Sequence, residues 1–100
     1  MKEESFGPII GIQKVNDDDE AISLMNDTEY GLTSSVYSSS KERSKNILSQ
    51  MNSGTVYWNC CDRISPRLPW SGRKNSGIGS TLSTYGIQAF VQPKAWHLKG

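Results

Sequence analysis

The sequence predicts an α/β fold built on a parallel sheet, and three observations carry that expectation. Apolar or β-branched runs near residues 9–15, 32–37 and 55–59 alternate with stretches whose apolar side chains fall on one helical face. Residues suited to cap a helix stand where each of the first two helical stretches would begin, and Asn52-Ser53-Gly54 stands where the second would end. Strand, helix, strand, helix, strand is an order that closes as a parallel sheet with right-handed crossovers.

Taken in order, Ile9, Ile10, Ile12 and Val15 lie between Pro8 and the acidic cluster at Asp17 and read as a buried strand. Asn16 is placed to cap the first helix, and Asp17, Asp18, Asp19 and Glu20 put negative charge on its first turn, where the helix dipole favours it. Their spacing is not that of a calcium loop, so a solvated helix start is preferred to a metal site. Ala21, Leu24 and Met25 share one face. Turn residues from Asn26 to Gly31 lead to the second strand, 32–37. Ser39 and Glu42 have capping-box spacing, and Ser44, Ile47, Leu48 and Met51 follow at helical intervals. Gly54 suits the left-handed position after the last turn, and Thr55 opens the third strand.

A long loop follows, with Pro66 and Pro69 removing backbone donors and Gly72, Gly77 and Gly79 permitting unusual angles. It also holds Ile64, Leu68 and Trp70, an apolar content that marks a binding loop on a scaffold rather than a disordered segment. Leu82, Tyr85, Gly86 and Ala89 predict a third helix over about 78–90, and residues 95–98 a terminal strand.

Composition narrows the function classes. One hundred residues amount to a single domain or part of one, and 35% hydrophobic content is low for a self-sufficient core. Eleven basic against ten acidic side chains leave a net charge of +1, too little to neutralise a run of phosphates, so nucleic acid is not an expected partner. No apolar stretch is long enough for a membrane span, and residues 1–5 have no signal core, so a cytoplasmic protein is expected. Cys60 and Cys61 are adjacent and cannot staple distant segments, and with His97 the sole histidine there is no zinc set.

Among candidate sites, Cys60 and Cys61 stand at a strand end but lack a nearby base in sequence, which favours a structural or pocket-lining role over a nucleophile. Gly77-Ile78-Gly79, beside Arg73 and Lys74, lacks the residue order of a phosphate loop. Trp70 can either wall a pocket or anchor the core.

Several spaced motifs extend this reading: Glu4-Ser-Phe6-Gly7-Pro8, Asn26-Asp-Thr-Glu-Tyr-Gly31-Leu32, Gly54-Thr-Val with Asn59, Pro69-Trp-Ser-Gly72, and Lys74-Asn-Ser76-Gly77-Ile-Gly79. In this order, and over essentially the whole chain, they resemble the C-terminal part of an NAD(P)-dependent aldehyde dehydrogenase. The resemblance implies a partial catalytic domain over 1–93 and an oligomerisation strand over 94–100, pairing across a homo-oligomer through strand edges. It implies that Glu4 accepts hydrogen bonds from the nicotinamide ribose of NAD or NADP, that Phe6 packs beside the nicotinamide, and that Asp62, Ile64 and Trp70 line the tunnel for the aldehyde.

In that family a cysteine attacks the aldehyde and a glutamate assists hydrolysis. Neither Cys60 nor Cys61 matches that nucleophile, so the chain by itself is expected to be an inactive fragment that binds no cofactor tightly. Four positions depart from the pattern: Ser80-Thr81 replaces Arg-Glu, Gln92 replaces a glutamate, and Trp70 replaces a more frequent phenylalanine. Trp58-Asn59-Cys60 with Pro69-Trp70 resembles the betaine-aldehyde branch, and no substrate follows from that alone. The alternative from a different class is a strand-pairing interaction module without catalysis.

Overall fold

A computed structural model describes residues 3–100. Its regular elements are α1 (Asp18–Asn26), β1 (Tyr30–Gly31), β2 (Thr33–Val36), α2 (Lys41–Ser49), β3 (Thr55–Trp58), β4 (Arg73–Lys74) and α3 (Ser83–Gln88). The α/β class holds, with β2 and β3 paired in parallel from Thr33 opposite Thr55 to Val36 opposite Trp58, and α2 as the crossover between them. A second, antiparallel pair joins β1 to β4, with Tyr30 opposite Lys74.

The core sits where the helices meet the parallel pair. Ile22 from α1 packs with Ile47 and Met51 from α2 and its exit, and Val36 and Leu48 close the cluster. Ser44, 1% exposed, faces the same side because its hydroxyl turns back to donate to the carbonyl of Ser40 at 2.9 Å. Asn26 then ties α1 to the end of α2, its Nδ2 donating to the Gln50 carbonyl at 2.9 Å and its Oδ1 accepting from the Asn52 amide at 3.0 Å.

Several local expectations are corrected. Residues 9–15 form no strand, and Ile12 is 94% exposed, because a doubly buried parallel strand needs neighbours on the sheet and none adjoins this run. Residues 95–98 are likewise no strand, and Leu98 is 80% exposed, since a terminal segment without a docking edge has no ladder to join. Asp17, not Asn16, caps α1 by accepting from the Glu20 amide at 2.8 Å, while Asn16 donates to the Glu20 carboxylate. Ser40, not Ser39, caps α2, accepting from the Arg43 amide at 3.2 Å. α3 is shorter than 78–90 because Thr81 is held in a bridge to Trp70 and Leu82 and Ser83 have positive φ, 63° and 53°.

Gly54 is not in the left-handed conformation; close approach explains it instead. A Cβ there would lie 1.6 Å from the Ser71 carbonyl oxygen, so only glycine lets the α2 to β3 connection pass against the loop.

Candidate functional site

The 60–82 loop is organised from its ends inward. At the end of β3, Asn59 has a positive φ of 54°, and its side chain clamps Ser38 on the neighbouring strand exit: Oδ1 accepts from the Ser38 amide at 2.9 Å and Nδ2 donates to the Ser38 carbonyl at 3.1 Å. Trp58 Nε1 donates to the same carbonyl at 3.0 Å. The buried Tyr57 donates its hydroxyl to the Arg63 carbonyl at 3.0 Å, which holds the first turn of the loop over β3. At the far end, the amide and carbonyl of Trp70 pair with the carbonyl and amide of Thr81, at 2.8 and 2.9 Å, and the Ser83 amide donates to the Pro66 carbonyl at 3.0 Å. The loop is therefore hydrogen-bonded across its base, not an open excursion.

Between these ends, β4 is docked by side chains whose roles were not legible in sequence. Lys74, at φ 53°, places Nζ 2.9 Å from the Asn26 carbonyl and 2.6 Å from the Thr28 carbonyl, where the end of α1 and the turn after it gather negative dipole. The Asn75 amide donates to the Glu29 carbonyl at 2.8 Å, and Ser76 Oγ accepts from the Gly31 amide at 2.9 Å. The signal that could have pointed here is the helix end at Asn26 followed by a lysine far along the chain, but nothing local relates the two.

This docking produces two adjoining cavities. The larger, about 350 Å³, has Glu4 at its wall with Asn26, Thr28, Thr33 and Ser76, and the smaller, about 180 Å³, lies against Trp70, Ser80 and Thr81. Leu32 and Ser76 line both. Glu4 and Trp70, far apart in sequence, thus face neighbouring hollows with a common wall.

The other expected site residues stand apart from these hollows. Phe6 is 93% exposed with φ 33° and lines neither cavity; Asp62, with φ 48°, and Ile64 are exposed on the loop's first turn, away from Trp70's cavity. Glu4 and the hydroxyls around it fit a ribose, an exposed carboxylate being able to accept from both hydroxyls of a diol. The wall that would complete a nicotinamide site is not formed by Phe6 in this arrangement.

Two tyrosines near the loop have phenols shifted above the ordinary value of 10.0. For Tyr57 the main cause is burial, reinforced by the Asp62 carboxylate; for Tyr37 it is a hydrogen bond with Cys61, followed by burial. Among the described residues no group of three or more His, Cys, Asp or Glu is placed to hold a metal ion. No helix among them is long and apolar enough to cross a membrane.

The sequence model of the aldehyde dehydrogenase family matches residues 1–96. The chain belongs to the aldehyde dehydrogenase family. This aldehyde dehydrogenase chain is 40% identical over 93 residues to the chloroplastic betaine aldehyde dehydrogenase of Beta vulgaris, a match covering 93% of the chain and 19% of that protein. It is 37% identical over 93 residues to the peroxisomal aminoaldehyde dehydrogenase 1 of Pisum sativum, covering 93% of the chain and 18% of that protein. Among solved structures it is similar to the betaine aldehyde dehydrogenase of Staphylococcus aureus in complex with NAD+, with a TM-score of 0.86 and 30% identity over 98% of this chain and 22% of that one.

The aldehyde dehydrogenase chain therefore spans between 18% and 22% of the length of these relatives. Two of them are chloroplastic and peroxisomal by name, so the cytoplasmic expectation does not follow from family membership.

Proposed function

We propose that this chain supplies one side of the active-site cleft in an enzyme that oxidises aldehydes to carboxylic acids with NAD. Residues 1–93 form part of its catalytic domain, and residues 94–100, irregular in the single chain, become an oligomerisation strand on pairing with a second subunit. The observation that carries the reading is family membership over residues 1–96, supported by a TM-score of 0.86 to a relative solved with NAD+. Glu4 holds the nicotinamide ribose and Trp70 lines the aldehyde's approach, while Phe6, Asp62 and Ile64, which stand clear of both cavities in this chain, come against the cofactor and the aldehyde only once the rest of the enzyme is in place. The cofactor supplies the hydride acceptor. The chain's own residues bind, orient and exclude water; none matches the family's nucleophile or base.

A chimera tests this, with this chain replacing the matching segment of the Staphylococcus aureus betaine aldehyde dehydrogenase. Expected is NADH formation from betaine aldehyde, with Glu4→Ala raising KM for NAD roughly tenfold, the effect of losing about 1.5 kcal/mol from a hydrogen bond to a charged group. A chimera that unfolds cooperatively yet forms no NADH from betaine or amino aldehydes overturns the proposal.

A second reading is favoured by the exposed apolar side chains at both ends, Ile10 and Ile12 at one and Trp96 and Leu98 at the other. It makes the chain an interaction module whose extended segments pair with other strands.

A further inference from the structure

The adjacent thiols of Cys60 and Cys61 are absorbed neither by the aldehyde site nor by the core. Both are free; Cys61 is exposed and Cys60 half-buried, so an oxidant in solution can reach the pair. They occupy a turn bracketed by two left-handed residues, Asn59 and Asp62, at φ 54° and 48°. Cys60 is also tied to β2. Ser35 Oγ donates to the Cys60 carbonyl at 2.6 Å. The pair is thus the fastening by which the loop's first turn is held to β2.

We propose that Cys60 and Cys61 are a peroxide-sensitive dithiol, and that closing it to a disulfide unfastens the start of the loop. One thiol attacks the hydroperoxide, breaking its O–O bond to give a sulfenic acid and releasing the other oxygen as an alcohol or water. The second thiol then displaces water from that sulfur, forming the S–S bond. In sum the two thiols lose two hydrogens and the peroxide is reduced. Successive Cα atoms are about 3.8 Å apart, shorter than the usual disulfide span of about 4.4 to 6.8 Å, so the small ring closes only with distortion and reopens readily with a dithiol reductant. The ring contains the peptide group that carries the Cys60 carbonyl. Its closure turns that carbonyl from Ser35. This inference rests on the chain's own residues and not on aldehyde oxidation.

The test treats the reduced chain with one equivalent of hydrogen peroxide, maps the cysteine peptide by mass spectrometry, and follows trypsin cleavage after Arg63 and Arg67. Expected is an intrachain product lighter by two hydrogens, restored by dithiothreitol, and severalfold faster cleavage at both arginines. Cys61→Ser and Cys60→Ser each abolish the peroxide response of the cleavage rate. Thiols that stay reduced, form only interchain bonds or only gain oxygen overturn the proposal. A disulfide that forms without changing the cleavage rate overturns the fastening role.

Discussion

Gly54 shows how a single residue's identity can be set by a segment distant in sequence. Its backbone angles would suit other residues, but the Ser71 carbonyl fills the space a side chain needs, with a hypothetical Cβ only 1.6 Å away. Both groups are backbone, so neither can rotate aside as a side chain would. Gly54→Ala is therefore expected to cost about 1 to 3 kcal/mol or more, the range for overpacked sites, read as a lower urea midpoint at unchanged slope. Lys74 illustrates the same point for function. As a letter beside Arg73 it looks like surface charge; in the fold its ammonium joins the carbonyls of Asn26 and Thr28 and sets β4 against β1.

Among the elements, α2 shows most clearly how local sequence and packing cooperate. Ser40 satisfies the Arg43 amide and receives the Ser44 hydroxyl, and the same turn aims Ser44 and Ile47 at the core. Ser40→Ala should destabilise the chain by about 1 kcal/mol, and Ser40→Asp should restore most of it, as measured by denaturant unfolding. Helix positions and the β2 and β3 strands were legible because their apolar residues recur with the period of the element, although the caps shifted by one residue. The pairing of β1 with β4 was not legible. Two-residue strands carry no period, and Tyr30 and Lys74 are brought together only when the loop folds back. For the site, Trp70 was visible as a large ring in a loop, whereas its cavity is made with Ser80 and Leu32, which share no local pattern with it.

At the scale of the molecule, the chain extends over 69 × 32 × 22 Å with a radius of gyration of 18.0 Å, against about 13 Å for a compact domain of this size. The excess comes from the segments before α1 and after α3, which leave Ile10, Ile12, Phe90, Trp96 and Leu98 exposed. Exposed apolar segments of this kind drive association. The purified chain is expected to scatter light with a mass well above 11.1 kDa at micromolar concentration; a monodisperse monomer would contradict this and weaken the interaction reading.

What the sequence determined by itself was the order of helices and strands around the parallel pair, together with the family, because periodicity, caps and spaced motifs are local or ordered along the chain. Tertiary structure alone decided which runs become strands and what the loop encloses. Residues 9–15 and 95–98 have strand-like composition but no strand lying beside them, and strand formation depends on that partner. Glu4 and Trp70 come to adjoining cavities because Gly31 and Gly54 let the backbone approach closely and the Lys74 ammonium fastens β4 back onto β1.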